Sequence, residues 1–228
     1  MATAAAIQPT TIHEAMAAAP MTQADIPTLK RIEDNRVQLY VWEDFLPVHL
    51  CEHIINLAKP HLKPSEIVGT SVSDPEFRTS STCYLGGTKD PFVDQVDGLI
   101  AAALGFPPEF AEPFQVQKYN VGQQYKVHSD YFRPNGDAHE VGSIRQFGQR
   151  TWTFMVYLND VSGGGTTDFP RLDLKIKPKT GRAVIWNNLY PDGTPNRHTL
   201  HCGTPVEAGD KVIITKWFRD RPRNVSSA

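Results

Sequence analysis

The chain has 228 residues, 40% of them hydrophobic, and a formal net charge of -2. That length suits one globular domain with tails, and the near-neutral balance supplies no global cationic field for nucleic acid or an anionic membrane. Three cysteines, Cys51, Cys83 and Cys202, with no C-x-x-C spacing, argue against a disulfide framework and a zinc ribbon and for a reducing, cytoplasmic location.

In chain order, the first residues show neither a basic start nor an apolar run of signal-peptide strength. No stretch of about 20 apolar residues is present to span a bilayer. Residues 1–28 are rich in Ala, Thr, Pro and Met and are interrupted by Pro9 and Pro20, which reads as a flexible Ala-rich arm. Residues 29–228 read as one domain. Val37 to Trp42 is strand-like. A helix is expected from about Pro47 to Ala58, where Leu50, Ile54, Leu57 and Ala58 keep helical spacing. A loop-rich region leads to a strand within Glu76 to Gly86. A second helix runs from Asp90, as cap, to about Leu104, with Pro91 at its first position and Gly105 at its end.

From Phe114 the pattern changes to short strands separated by turns: Phe114 to Tyr119, Tyr125 to Asp130, Trp152 to Leu158, Ala183 to Trp186 and Val212 to Ile214. Leu172, Leu174 and Ile176 alternate with Asp173, Lys175 and Lys177, a half-buried strand. Gly163 to Gly165, Pro178 to Gly181 and Pro191 to Gly193 are turn chemistry. The triple glycine is not a phosphate loop, because no Gly-Lys-Ser/Thr follows it. The fold class is mainly β, a sandwich or jelly roll with flanking N-terminal helices. Tyr131 to Gln149 is long and polar and reads as a lid-like loop. Arg219, Arg221 and Arg223 read as a solvated tail.

The chemistry gathers at Tyr125-Lys126-Val127-His128-Ser129-Asp130. In an extended segment, side chains at i and i+2 share a face, so His128 and Asp130 can grip one metal together. A third ligand is available downstream, where His201 and His198 compete. Two histidines and one carboxylate on one face leave open positions suited to non-haem Fe(II). Pro205 and Gly209-Asp210 make a hairpin plausible, which returns Lys211 alongside His201. An ammonium buried there requires an anion, such as the far carboxylate of a keto acid. One literal motif competes: His49-Leu50-Cys51-Glu52-His53 matches the inverted zinc-peptidase pattern H-x-x-E-H. Its alternative reading is an amphipathic helix with a polar side. His61 and His139 read as solvated loop residues.

Five blocks in order carry a family resemblance: Gln115 to Asp130, Gly148 to Asp160, Gly163 to Pro170, Ile176 to Leu189 and His201 to Phe218. From Phe114 to Arg219 the chain resembles the catalytic domain of 2-oxoglutarate- and Fe(II)-dependent prolyl 4-hydroxylases, with weaker similarity upstream through Phe77 to Ser81. The resemblance implies a dioxygenase domain over 29–228, with helical and loop support over 29–113 and a double-stranded β-helix (jelly-roll) core over 114–220. It implies that His128, Asp130 and His201 bind Fe(II), that Lys211 pairs with the far carboxylate of 2-oxoglutarate, and that Tyr119 bonds the same group. It places a proline-containing peptide against Arg78, Ser80, Tyr84, Glu112, Tyr125, Arg150 and Trp217. O2 and 2-oxoglutarate are the implied co-substrates, succinate and CO2 the co-products, and L-ascorbate the implied reductant. Aromatic residues such as Tyr84, Tyr125 and Trp217 suit an extended proline-rich chain, their alternative being core packing. Rival readings are a dioxygenase of this fold acting on another side chain or a free amino acid, and a non-catalytic binding module for proline-rich peptides. The chain departs from the family pattern in its long Asp130–Arg150 segment, in Arg219 where a histidine is expected, and in the triple glycine with Asp168. All three bear on peptide specificity.

Overall fold

The computed structural model describes residues 28–66 and 74–223, so the expected arm over 1–28 lies, except for Thr28, outside the described residues. Among the described residues the chain forms fourteen strands and three α-helices. The major sheet is antiparallel. Its strands are β1 (Leu29–Arg31), β2 (Leu39–Trp42), β3 (Lys63–Pro64), β4 (Ser81–Tyr84), β5 (Gln115–Tyr119), β7 (Arg150–Tyr157), β11 (Ala183–Asn187) and β14 (Lys211–Arg219). They lie in the order β1-β2-β11-β7-β14-β5-β4-β3. The N-terminal part of the chain therefore supplies four of the eight strands, two at each edge. The minor sheet runs β10 (Leu174–Ile176), β9 (Thr167–Phe169), β12 (His201–Gly203) and β6 (Tyr125–His128). A further pair joins β8 (Gly163–Gly164) to β13 (Val206–Ala208), so the triple glycine is part strand and part turn.

Strand alternation assigns each side of the major sheet a different task. On β7, Trp152, Phe154 and Val156 face the helices, while Met155 and Tyr157 face the minor sheet. On β11, Ile185 and Ala183 face the helices, and Val184 and Trp186 face inward. Both faces are covered, which is why these strands read as near-continuous apolar runs. The helix layer consists of α1 (Val48–Ala58) and α2 (Pro91–Leu104). Leu50, Ile54 and Ala58 of α1 and Val93, Val96, Ile100 and Leu104 of α2 enter the same core. Asp90 caps α2 by accepting from Phe92 N at 2.9 Å and Val93 N at 3.1 Å, and Gly105 ends it at φ 67°. No helix among the described residues is long and apolar enough to cross a membrane.

Two expectations change. Residues 131–149 are not an open loop: they contain α3 (Ala138–Phe147). Asp137 accepts from Glu140 N at 3.0 Å, and the Glu140 carboxylate accepts from Asp137 N at 3.3 Å, a complete capping box. The segment is also pinned at both ends. Gln149 accepts from Phe132 N at 2.8 Å and donates to Phe132 O at 2.6 Å, and Gln149 N donates to Asp220 at 3.0 Å. Second, Arg219 is not a solvated tail. It is the last residue of β14, 4% exposed, because β14 runs on in pairing with β7 to the Arg219–Arg150 step.

Gly181 ties α1 to the sheet. Its φ is +77°, a Cβ there would strike Leu46 O, and its carbonyl accepts from Leu46 N at 3.1 Å. Gly181→Ala is expected to lower unfolding free energy by about 1–3 kcal/mol, read as a fall in the urea midpoint at unchanged slope.

Candidate active site

β12 runs antiparallel to β6 with His201 opposite His128. That register places the two imidazoles 4.3 Å apart, centroid to centroid. β6 ends at His128, because the β12 pairing ends there, and Asp130 follows from the succeeding turn. The shared grip of His128 and Asp130 thus arises from a strand end and a turn, not from strand alternation alone. Asp130 lies 3.9 Å from His128 Nε2 through one oxygen and 3.9 Å from His201 Nε2 through the other. Each residue offers one ligand atom, all within 4.8 Å of one another, and no other such cluster of His, Cys, Asp or Glu occurs among the described residues.

The ring orientations follow from backbone contacts. His128 Nδ1 is 2.8 Å from Lys126 O, and His201 Nδ1 is 3.0 Å from Thr199 O. With each Nδ1–H donating to a carbonyl, each Nε2 keeps its lone pair for a metal. Tyr125 stacks on His128 at 3.5 Å, and Trp186 meets His201 edge-on at 4.8 Å. Burial pulls the His128 pKa down to about 3, with His201 acting in the same direction, so the ring is neutral at pH 7. Burial alone would raise Asp130, but His201, His128, Arg150 and the Thr153 hydroxyl together hold it below the usual carboxylate range. The donor set of two imidazoles and one carboxylate, with outer hydrogen bonds in place, fits Fe(II).

Sequence reasoning missed the chain of bonds that fixes Asp130. Thr153 donates to Asp130 at 2.7 Å and accepts from Asn188 at 2.9 Å, and Trp186 Nε1 donates to Asn188 at 3.0 Å. All three supporting residues come from the β7 and β11 region of the major sheet, and nothing in their local sequence distinguishes them from core.

The cleft holding the triad has a volume of about 680 Å3. One face of β14 lines it from end to end with Lys211, Ile213, Thr215, Trp217 and Arg219. Lys211 does not return beside His201 in a hairpin. β13 pairs with β8, and β14 crosses to the major sheet, so Lys211 pairs in register with Tyr119 and approaches β12 from across the barrel. Gly203 leaves room for it: a Cβ there would stand 3.5 Å from Lys211 Nζ. Lys211 is 2% exposed, its ammonium has no hydrogen-bond acceptor among the described residues, and it sits 5.4 Å from the Tyr119 ring and 5.5 Å from that of Tyr157. Burial lowers its pKa to about 7, with Cys202 and Asp168 opposing. Tyr119 donates to Gln117 at 2.9 Å on the same wall.

The outer residues divide. Arg78, Tyr84, Glu112, Tyr125, Arg150 and Trp217 line the cleft. Ser80 does not: it is 2% exposed and bonded to Ser65 at 2.8 Å. Arg78 lies 4.9 Å over the Tyr125 ring, Tyr84 is 61% exposed, and Gln115 donates to the Tyr84 hydroxyl at 2.8 Å. Glu112 accepts from Arg150 at 2.7 and 2.8 Å and from Arg219 at 2.7 Å. Arg150 in turn covers Trp217 at 3.8 Å, and Trp217 Nε1 is buried with no acceptor among the described residues. Of the residues set aside, His139 lies on α3, against Phe132, and lines the cleft, while His61 is exposed in a short helical turn. His198 bonds the Tyr190 hydroxyl at 2.9 Å, away from the cleft. The H-x-x-E-H residues do not converge: His49 and Glu52 are exposed on α1, and His53 pairs with Asp90 at 2.9 Å.

Comparison with known proteins adds to this geometry. Residues 114–219 match the sequence profile of the 2OG-Fe(II) oxygenase superfamily. The chain is 31% identical over 216 residues to prolyl 4-hydroxylase 2 of Arabidopsis thaliana, covering 84% of this chain and 70% of that one. It is 33% identical over 200 residues to prolyl 4-hydroxylase subunit alpha-1 of Homo sapiens, 86% of this chain but 37% of the subunit. The 2OG complex of the viral collagen prolyl hydroxylase from Paramecium bursaria Chlorella virus-1 superposes with a TM-score of 0.64 at 28% identity, covering 80% of this chain and 96% of that one. A Trichoplax adhaerens prolyl hydroxylase in complex with a hypoxia inducible factor peptide fragment shares the fold at TM-score 0.57 and 18% identity.

Isothermal titration with Mn(II) separates the two candidate third ligands. His201→Ala is expected to weaken binding by at least about tenfold, the usual scale for losing a ligand or its support, while His198→Ala binds as the unaltered chain does.

Proposed function

The chain belongs to the 2-oxoglutarate- and Fe(II)-dependent prolyl 4-hydroxylase family, and on that premise we propose that it hydroxylates prolyl residues of a peptide or protein at the 4-position. The overall reaction consumes 2-oxoglutarate and O2 and yields succinate, CO2 and the hydroxylated proline. The observation that carries this reading is the pairing of a His128–Asp130–His201 cluster with a buried, uncompensated Lys211 in one cleft.

Fe(II) held by His128, Asp130 and His201 would supply the activation of dioxygen coupled to decarboxylation of the keto acid. The remaining work falls to the chain's own residues. Lys211 supplies a desolvated positive charge at the cleft floor, where a carboxylate replaces the missing acceptor. Tyr119, across from it, supports the role of second donor to that group, its hydroxyl now resting on Gln117 at 2.9 Å. The Thr153–Asn188–Trp186 chain holds Asp130 in orientation. Trp186, Phe169 and Tyr125 surround the histidine rings and exclude water. At the mouth, the Tyr125 and Trp217 rings and the unpartnered Trp217 Nε1 support docking of an extended proline-rich chain, which has carbonyl acceptors to spare. We also propose L-ascorbate as the reductant that maintains Fe(II), and a cytoplasmic location, the latter supported by three unpaired cysteines.

The decisive assay measures succinate from 2-oxoglutarate under air with Fe(II) and ascorbate, with and without a proline-rich peptide. Peptide-stimulated succinate and a one-oxygen mass gain on the peptide, both absent in His128→Ala, are the expected result. Succinate without peptide stimulation would move the substrate to another side chain or a free amino acid.

The Lys211 pKa gives a second expectation. A carboxylate binds the ammonium form, so affinity for 2-oxoglutarate is complete below about pH 7 and falls as pH rises through it. Titration with Mn(II) in place of Fe(II) from about pH 6 to about pH 9 should show up to about a tenfold loss per pH unit until the bound-state pKa is reached. Lys211→Arg, always charged, should bind more weakly but without that slope.

A further inference from the structure

We propose that the outer cleft, where β14 ends, is a subsite for a carboxylate of the peptide substrate, from an acidic side chain flanking the proline or from the chain end. The inference rests on the peptide-hydroxylase reading and names the substrate class it selects. Five arginines line the cleft, against three carboxylates apart from Asp130: Glu112, Asp137 and Glu140. This surplus belongs to a chain whose overall charge is -2.

The pairing pattern concentrates the surplus at one end. Arg133 and Glu140 pair at 2.7 Å and neutralise one another. Asp137 is committed at least in part to capping α3. Glu112 serves both Arg150 and Arg219, so two guanidiniums share one carboxylate in a largely buried setting. Arg219 is otherwise fastened to Gly148 O at 2.6 Å and Ser143 at 3.3 Å, which leaves it no room to seek a second carboxylate. Arg78, on the far wall, holds only neutral acceptors among the described residues: Thr82 at 3.1 Å, Glu66 O at 3.3 Å, Ser80 at 3.4 Å and Gln115 at 3.5 Å. Among the described residues Arg223 has no carboxylate partner: its guanidinium rests 6.0 Å from the Phe147 ring while its backbone is fixed by Glu109 O at 2.7 Å. Burial together with Arg150 and Arg223 pushes the Arg219 pKa down, against the pull of Glu112, as expected where positive charges outnumber their counter-ions.

A second observation points the same way. Trp217, directly beneath Arg150, is 6% exposed, and its Nε1–H has no acceptor among the described residues. Donors therefore exceed acceptors along this wall in both charged and neutral form. A lysine-flanked peptide would add repulsion. A glutamate or aspartate flanking the proline brings a planar acceptor of the right charge to guanidinium donors. Arg219 makes the surplus: a neutral residue at 219 would leave Glu112 to Arg150 alone.

The test uses C-terminally amidated proline-rich peptides that differ only in one Glu, Gln or Lys, moved position by position on either side of the proline, plus the Gln peptide as a free acid. Hydroxylation is followed by mass. At one or more positions kcat/KM should be about threefold to tenfold higher for Glu than for Gln, with Lys lowest, and the advantage should shrink with added salt. Arg223→Glu should reverse the order of the Glu and Lys peptides. An advantage confined to the free-acid Gln peptide would assign the subsite to the chain end. Equal hydroxylation of all peptides overturns the subsite alone. No oxygen gain on any peptide overturns the hydroxylase reading, and the subsite with it.

Discussion

The register between two short strands sets the terms for the rest of the site. His201 of β12 stands opposite His128 of β6, and a cross-strand pair of this kind fixes side-chain separation at a few ångströms without help from either side chain. Burial and the nearby His201 ring keep His128 unprotonated at neutral pH, with its Nε2 free to accept. The same closeness demands a carboxylate between them, and that carboxylate is placed by the opposite sheet. Thr153 and Asn188 reach Asp130 from β7 and from just after β11. The His128–Asp130–His201 cluster therefore belongs to neither sheet. It exists only when the two are packed, with Trp186 and Phe169 as the apolar contact that holds them at the right separation.

β14 converts that packing into an ordered cleft. Its outward residues Val212, Ile214 and Phe218 are core for the helices, while its inward residues run from Lys211 at the floor to Arg219 at the mouth. At about 3.3 Å per residue this is a rigid ruler of roughly 26 Å. The strand fixes the order of side chains along the cleft: the Lys211 ammonium, Ile213 and Thr215, the Trp217 ring and the Arg219 guanidinium. Positioning on a central strand buried on both faces leaves these groups little freedom to drift.

Much of this was legible in the sequence. Both helices of the N-terminal half follow from proline, the Asp90 cap and apolar spacing, and the strand rhythm after Phe114 marks the β core. His128, Asp130 and Lys211 stand out because their chemistry is out of place in strands. Between His201 and His198 local spacing left both open, the family pattern favoured His201, and the backbone turns the His201 ring into the cluster while His198 bonds Tyr190. α3 was legible in principle: Asp137 and Glu140 are a capping-box spacing, but the helix they open has no apolar stripe to advertise it. The bonds from Thr153, Asn188 and Trp186 to Asp130 join residues separated by dozens of positions and carry no local signal. The same holds for Arg219, whose neighbours Arg221 and Arg223 suggest a basic tail until the register of β14 with β7 brings it indoors.

The shared carboxylate of Glu112 has a consequence for how this mouth can change over generations. With Arg150 and Arg219 both leaning on it, no single member of the trio is free to vary. Loss of the acid would strand two desolvated cations side by side, and loss of either cation would loosen the grip on α3 or on Trp217. Positions 112, 150 and 219 thus form one heritable unit, and a lineage that alters the peptides it accepts has an easier path through Arg78 and Arg223 at the margin, which hold no carboxylate among the described residues, than through the trio at its centre.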